Sequence, residues 1–203
     1  SFTGRFFMAK IIGLTGPIGA GKSTVARILS EKGCVIVDCD KIAREIVEPG
    51  SPVLSVLAKE FGNDILNEDG SLNRPRLAEV AFSSKENQLK LNSITHPEIL
   101  KVALSRATKA IKEGKNAVIE AALLFESGAN MLCSASVAVV APKEERKKRV
   151  AARDNLDEKA IELKMNVQKE ESYYTERADF VIRNHEPYDI NYELQPLFKY
   201  LGI

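Results

Sequence analysis

Three glycines and one lysine lie within "GPIGAGKS", residues 16–23, which satisfies the pattern G-x-x-x-x-G-K-[ST] and which we call the glycine loop. Backbone N–H groups around Gly19 and Gly21 can converge on phosphate oxygens, because glycine has no Cβ to obstruct the approach. Lys22 adds a positive charge, and Ser23 offers a hydroxyl to Mg²⁺. The loop therefore predicts binding of a nucleoside triphosphate.

The elements around the glycine loop support this interpretation. An apolar run at residues 11–14 predicts a strand before it, and apolar residues recur with helical spacing after it. The short β-branched run "CVIVDCD" (34–40) predicts a second strand after that helix, and one crossover of this length favours a parallel sheet. Three more short runs are apolar on both faces, which is typical of buried parallel strands; they are "NAVIEA" (116–121), "SASVAVVA" (134–141) and "DFVIRN" (179–184). The predicted fold class is α/β, with a P-loop NTPase-type parallel five-stranded sheet flanked by helices.

The remaining segments divide the predicted single domain. Helical periodicity without such strands predicts a helical substrate-binding insertion at about 41–113. The charged stretch at about 143–177, which we call the lid segment, predicts an exposed and mobile pair of helices. The core then comprises 8–40, 114–142 and 178–203. Residues 1–7 show neither helical nor strand periodicity, and we interpret them as a leader or an expression remnant before Met8.

The composition argues against several classes of protein. The 29 Lys and Arg residues nearly balance the 28 Asp and Glu residues, so a sequence-blind electrostatic grip on nucleic acid is not expected. No apolar run approaches the length of a membrane span, and no signal peptide is evident. The three cysteines lack zinc-binding spacing. We expect a cytoplasmic enzyme acting on small molecules, with a monomer as the favoured state.

Two acidic residues end the second predicted strand. Asp38 and Asp40 are two positions apart, so on a strand both carboxylates point to one side and can face the pocket at the sheet's carboxyl edge. A carboxylate there can accept a proton from an alcohol or help to place Mg²⁺. We predict that Asp38 is the base, with helix capping as its alternative. Asp40 is either a second site carboxylate or the N-cap of a helix beginning at Lys41.

Three arginines recur on one face of the lid segment. Arg146, Arg149 and Arg153 are spaced i, i+3 and i+7, so their guanidiniums are expected to point together. A planar guanidinium suits phosphate oxygens. A segment that closes over the reaction would also exclude water, which transfer to an alcohol requires. The alternative is a solvated charged face.

With "GLTGPIGAGKST", "VDCD", "LNRPRL", "THPEI", "LLFE", "RVAAR" and "DFVIRN" in this order, the chain resembles the dephospho-CoA kinases over nearly its whole length from Met8. The resemblance implies Mg²⁺-dependent transfer of the ATP γ-phosphate to the ribose 3'-hydroxyl of dephospho-CoA, the last step of coenzyme A synthesis. It also implies a CoA-binding helical domain and a lid.

The resemblance assigns roles to individual residues. It implies that Asp38 is the base, that Arg149 and Arg153 are the lid arginines, and that Asn184 lies near the adenine. The family's ATP loop matches Gly19, Ala20, Gly21, Lys22, Ser23 and Thr24.

Three further residues are candidates for the substrate side. His96 of "THPEI" borders the CoA site according to the resemblance, and its alternative is a histidine at a helix end beside proline. Glu126 of "LLFE" either tethers the lid segment or is simply exposed. Arg76 of "LNRPRL" either reaches the substrate's phosphates or is a surface arginine.

Other functions remain open from the sequence alone. A different hydroxyl kinase, of the shikimate or gluconate type, shares a similar phosphate loop and a second-strand acid. A nucleotide-dependent switch or assembly ATPase is a third possibility, although the sequence has no N-K-x-D guanine reader and no strand that ends in four apolar residues and Asp-Glu.

Overall fold

The computed structural model of the chain describes residues 8–203, so the predicted leader at 1–7 lies outside the described residues. Its sheet has the strand order β2-β3-β1-β4-β5, and β1 pairs in parallel with β3 and β4, as β4 does with β5. The strands are β1 (Ile11–Thr15), β2 (Val35–Asp38), β3 (Ala117–Glu120), β4 (Ala135–Val140) and β5 (Phe180–Arg183). The predicted five-stranded α/β fold is confirmed.

Helices lie between these strands and after the last of them. They are α1 (Lys22–Glu31), α2 (Cys39–Glu45), α3 (Pro52–Phe61), α4 (Arg74–Ala81), α5 (Lys85–Lys112), α6 (Lys143–Asp154), α7 (Glu158–Asn166), α8 (Glu171–Thr175), α9 (Ile190–Glu193) and α10 (Gln195–Leu201). Side-chain caps explain several starts. Ser51 accepts a hydrogen bond from the Val53 N–H at α3, and Asn73 accepts one from the Arg76 N–H at α4.

The chain forms two compact units. The first comprises the described residues up to Val37 together with Ala107–Ile203, and the second comprises Asp38–Arg106. The first has its core between the sheet and its helices; its fully buried members include Ile12, Leu14, Val25, Leu29, Val137, Val139 and Leu197. The second is helical, and its separate core includes Val47, Leu57, Ile65, Leu77 and Ala81.

The lid segment contains three helices, α6, α7 and α8, rather than the predicted pair. Residues 167–170 separate α7 from α8, and Val167, the apolar residue among them, is exposed and gives α7 no buried face on which to continue. Val150, Ile161 and Met165 form a small core inside the segment, so it is not purely a solvated charged surface.

No helix among residues 8–203 combines the length and the apolar character that crossing a lipid bilayer requires.

Candidate active site

The glycine loop connects the buried end of β1 to the first turn of α1. Gly21 is the N-cap of α1, with φ 100° and ψ 30°, and no side chain caps this helix. Lys22, Ser23 and Thr24 are the first three helical residues. An uncapped amino end of a ten-residue helix presents N–H groups and a partial positive charge, which suit an anion.

The structure gives a further reason for the glycines. Gly16, Gly19 and Gly21 all have positive φ, which disfavours other residues. A Cβ on Gly19 would lie 2.6 Å from the carbonyl oxygen of Arg146, and one on Gly21 would collide with the side-chain amide of Asn184. The glycines therefore admit neighbouring protein atoms, in addition to the predicted phosphate.

The carbonyl groups and the amide groups of the loop differ in their hydrogen bonding. The carbonyls of Gly19 and Ala20 accept hydrogen bonds from Arg149 Nη1, at 3.2 and 3.3 Å, and the Ala20 carbonyl also accepts one from Asn184 Nδ2 at 2.9 Å. No hydrogen bond within residues 8–203 uses the amides of Gly19, Gly21 or Ser23. The loop thus keeps its carbonyls occupied and leaves these donors available to phosphate oxygens.

Two of the three lid-segment arginines, Arg146 and Arg149, point together and donate to neighbouring carbonyls of the glycine loop, whereas Arg153 does not join them. Arg146 is only 9% exposed, and its Nε donates to the Ala141 carbonyl at 3.0 Å; burial lowers the pKa of its guanidinium. Arg153 is exposed and pairs with its neighbour Asp154, with Nε to Oδ1 at 2.6 Å. The α-helical spacing alone did not anticipate how close α6 lies to the glycine loop.

Arg149 makes the most contacts of these arginines. Besides the two loop carbonyls, its Nη2 donates to the Asn184 carbonyl at 2.6 Å and to Glu145 Oε2 at 3.0 Å. One guanidinium therefore joins the glycine loop, α6 and the residue that follows β5. Its contact with a transferring phosphate stays a prediction.

Asp38 ends β2 and is half-buried. Its Oδ1 accepts hydrogen bonds from the N–H groups of Asp40 at 2.9 Å and Lys41 at 3.2 Å, so Asp38 is the N-cap of α2. The expectation that Asp40 caps a helix beginning at Lys41 is wrong, because the helix begins at Cys39. Strand alternation consequently stops at Asp38, and the two carboxylates do not share one side of a strand; Asp40 is exposed in the first helical turn.

Asn184 and Glu126 both join separate segments of the first unit. The Asn184 N–H continues the β4–β5 pairing by donating to the Val140 carbonyl at 2.9 Å, while its side chain reaches the glycine loop. Glu126 Oε1 accepts a hydrogen bond from the Tyr173 hydroxyl of α8 at 2.9 Å, which matches the tether among the two alternatives for this residue. Burial and this hydrogen bond raise the pKa of Tyr173. Adenine and substrate contacts of these residues stay predictions.

The two other substrate candidates lie in the second unit. Arg76 Nε donates to Asp64 Oδ2 at 2.7 Å and its Nη1 to Glu79 Oε2 at 3.1 Å, and these hydrogen bonds raise its pKa. His96 lies within α5, which continues through Pro97, so the alternative of a helix-end histidine is wrong. Their roles in substrate binding stay predictions.

Sequence reasoning missed two residues of this region. Gln168, after α7, accepts a hydrogen bond from the Ile18 N–H at 2.8 Å, and no local pattern indicates that contact. Glu120 is the last residue of β3 and lies opposite Leu14 of β1 in the parallel register. An acidic residue closing an apolar strand was the available signal, because carboxyl ends of parallel strands meet at one edge of the sheet.

The chain is similar to known proteins over most of its length. A family model described as dephospho-CoA kinase matches residues 10–189. A dephospho-CoA kinase of Corynebacterium efficiens is 45% identical, with 87% of this chain and 88% of that protein covered.

Solved structures agree with this match. The Thermus thermophilus protein TT1252 has a TM-score of 0.77 at 31% identity, covering 94% of this chain and 95% of its own. A Campylobacter jejuni dephospho-CoA kinase has a TM-score of 0.62 at 26% identity, covering 97% and 100%. Family model, sequence relatives and fold agree, and the chain belongs to the dephospho-CoA kinase family.

Proposed function

We propose that the protein transfers the γ-phosphate of ATP to the ribose 3'-hydroxyl of dephospho-CoA. The observation that carries the proposal is the family match over residues 10–189. The glycine loop supports it, because three amides and an uncapped helix terminus form a site for a triphosphate. Lys22, at the first position of α1, would add its charge toward the β- and γ-phosphates, and Thr24 a hydroxyl to the α-phosphate.

The residues near the loop fit a magnesium ion held mainly by the nucleotide. No group of three or more His, Cys, Asp or Glu residues in the described part of the chain could form a metal site. Mg²⁺ commonly binds one or two protein groups together with phosphate oxygens and water. Ser23 would supply such a group, and Glu120 is a second candidate. When bound, the ion neutralises charge on the transferring phosphate.

Asp38 is the proposed base. The N-cap hydrogen bonds use Oδ1, so they fix the carboxylate without engaging Oδ2. A carboxylate held in this way can accept the proton of an alcohol as the phosphate transfers. Arg149 and Arg153 are proposed to stabilise the negative charge on the phosphates.

The helical unit Asp38–Arg106 is proposed to bind dephospho-CoA, in place of the predicted range 41–113, with Arg76 and His96 as contacts. Glu126 is proposed to act at the substrate side through its tether to α8. We further propose that the protein acts on small molecules alone, as a cytoplasmic monomer. The balanced charge supports the part of this proposal that excludes nucleic acid.

The test is incubation of purified protein with ATP, Mg²⁺ and dephospho-CoA, followed by mass identification of the product. We expect one added phosphate and ADP release that depends on the acceptor. Shikimate and gluconate serve as competing acceptors, and phosphorylation of either in preference to dephospho-CoA would contradict the proposal. ATP hydrolysis that is independent of every acceptor would favour a switch or assembly ATPase instead.

Asp38→Asn tests the base. Asparagine is as good an N-cap as aspartate, so α2 and ATP affinity should be preserved while turnover falls about 10²- to 10⁴-fold. Asp40→Asn is the matched control, since it makes the same chemical change two residues away on an exposed position. Near-normal turnover of Asp38→Asn would refute the assignment.

A further inference from the structure

The main chain of Ile18, in the middle of the glycine loop, is held by the lid segment on both sides. Its N–H donates to Gln168 Oε1 at 2.8 Å, and its carbonyl accepts a hydrogen bond from Arg146 Nη1 at 3.3 Å. The two partners are 22 positions apart in the chain, one in α6 and one after α7. The lid segment therefore satisfies both polar groups of a residue that belongs to the phosphate site.

The side chain of Ile18 also contacts the lid segment. It packs, partly buried, against the small core formed by Val150, Ile161 and Met165. These three residues are 1%, 3% and 6% exposed, and Ile18 and Leu156 are the partly buried residues that pack against them. Burial of this apolar surface ties the loop to α6 and α7 independently of the hydrogen bonds.

Gly19 is a second residue of the glycine loop that lies against α6. A Cβ at this position would lie 2.6 Å from the Arg146 carbonyl oxygen and 3.0 Å from Val150 Cγ2, so the backbone of α6 lies directly against the loop. The next amide along the loop that is available to an anion is that of Gly19 itself. The orientation of the Ile18–Gly19 peptide is thus set by contacts that never reach a nucleotide.

We propose that Ile18 and Gln168 are positioning residues for nucleotide binding. The lid segment, through Gln168 and through the core around Ile18, holds the glycine loop in the conformation that offers its amides to the phosphates. Without these contacts the loop samples other conformations, and the nucleotide must order it on binding, which lowers the apparent affinity.

Coupling between two sites is reciprocal, so nucleotide binding should also stabilise the lid segment. In the wild-type protein, ATP should slow proteolytic cleavage within residues 143–177. When both proteins are saturated with ATP to the same degree, ATP should protect the Gln168→Met variant less than the wild type, because the contact between the glycine loop and the lid segment is weakened.

The inference rests on the proposed function only in requiring that ATP binds the glycine loop. Its main measurement is therefore the dissociation constant of ATP, determined by calorimetric titration without dephospho-CoA. A wild-type protein that binds ATP but does not phosphorylate dephospho-CoA overturns the proposed function, and the ratio of dissociation constants still decides the inference.

The principal variant is Gln168→Met, which keeps the side-chain length and removes the acceptor. Gln88→Met, on an exposed position of α5, is the matched control. Ile18→Ala and Ile18→Val form a second series, in which only the larger truncation should loosen the lid-segment core. Far-UV circular dichroism verifies that each variant is folded.

For Gln168→Met we expect the ATP dissociation constant and the KM for ATP to rise about 2- to 12-fold, equivalent to the ~0.5 to 1.5 kcal/mol of one hydrogen bond. The KM for dephospho-CoA and kcat should stay within about twofold, and Gln88→Met should match the wild type. A merely structural role would lower kcat or the melting temperature without raising the ATP dissociation constant. That outcome, or equal ATP affinity in Gln168→Met and Gln88→Met, overturns the proposal.

Discussion

The structure predicts that replacing Gly19 by alanine is more damaging than replacing Gly33, although both residues have positive φ. Gly19 has φ +78° and a Cβ there meets the Arg146 carbonyl, whereas Gly33 has φ +92° and no atom lies within 4 Å of a Cβ. Gly33→Ala therefore measures backbone strain alone. Gly19→Ala adds the displacement of α6 to the same kind of strain.

The magnitudes follow from these two terms. A left-handed conformation costs about 1–2 kcal/mol for an L-residue other than glycine. Inserting a methyl group into a packed contact costs about 1–3 kcal/mol more, here against a backbone carbonyl that cannot rotate away. For a chain of this size, 1 kcal/mol shifts Tm by about 2–4 °C. Gly33→Ala should lower Tm by about 2–8 °C, and Gly19→Ala by a further 2–12 °C or so.

Thermal unfolding followed by circular dichroism, without nucleotide, is the assay. Repeating it with saturating ATP tests the loop itself, because ligand binding raises Tm by an amount that depends on affinity. The ATP-dependent rise should persist in Gly33→Ala and shrink in Gly19→Ala. If the two variants unfold within about 1 °C of each other, the close approach of α6 to Gly19 does not govern stability, and our reasoning about the glycine loop is wrong.

Three further predictions concern the lid segment. Arg149→Met should weaken ATP binding about 10- to 150-fold, because charged hydrogen bonds to loop carbonyls are worth about 1.5–3 kcal/mol. Arg153→Met removes only the pair with Asp154, so Tm should stay within about 2 °C, while kcat should fall if Arg153 contacts phosphate. An unchanged kcat would remove Arg153 from the site. Burial raises the pKa of Tyr174 from 10.0 to about 12, so its neutral form stabilises the fold below pH 10, and up to ~3 kcal/mol is lost as pH rises from 10 to 12. Chemical denaturation across this range should show a smaller loss in Tyr174→Phe, and parallel profiles would contradict the assignment.

The fold was predictable because its signals are local. Each strand is a short run that is apolar on both faces, and the glycine loop has a fixed spacing between a strand and a helix. The third lid-segment helix and the start of α2 were not predicted correctly. Both depend on where a helix ends or begins, which is settled by capping and packing more than by periodicity.

The candidate site was only partly predictable. The residues at the phosphate loop follow from sequence spacing, and the resemblance pointed to Asp38 and Arg149. The spacing of Arg146 and Arg153 predicted a shared face but not their partners, because one guanidinium is buried against carbonyls and the other pairs with its neighbour. Gln168 had no signal at all, since its partner Ile18 is 150 positions away.

Hydrophobic periodicity and glycine spacing were sufficient to predict a five-stranded α/β fold with a phosphate loop, because both patterns act over a few neighbouring residues. Tertiary packing was needed to show that Arg149 and Asn184 hold the loop's carbonyls and that Ile18 packs into the lid segment. Those contacts join residues far apart in the chain. Their partners are selected by packing geometry, which no local pattern of residue types records.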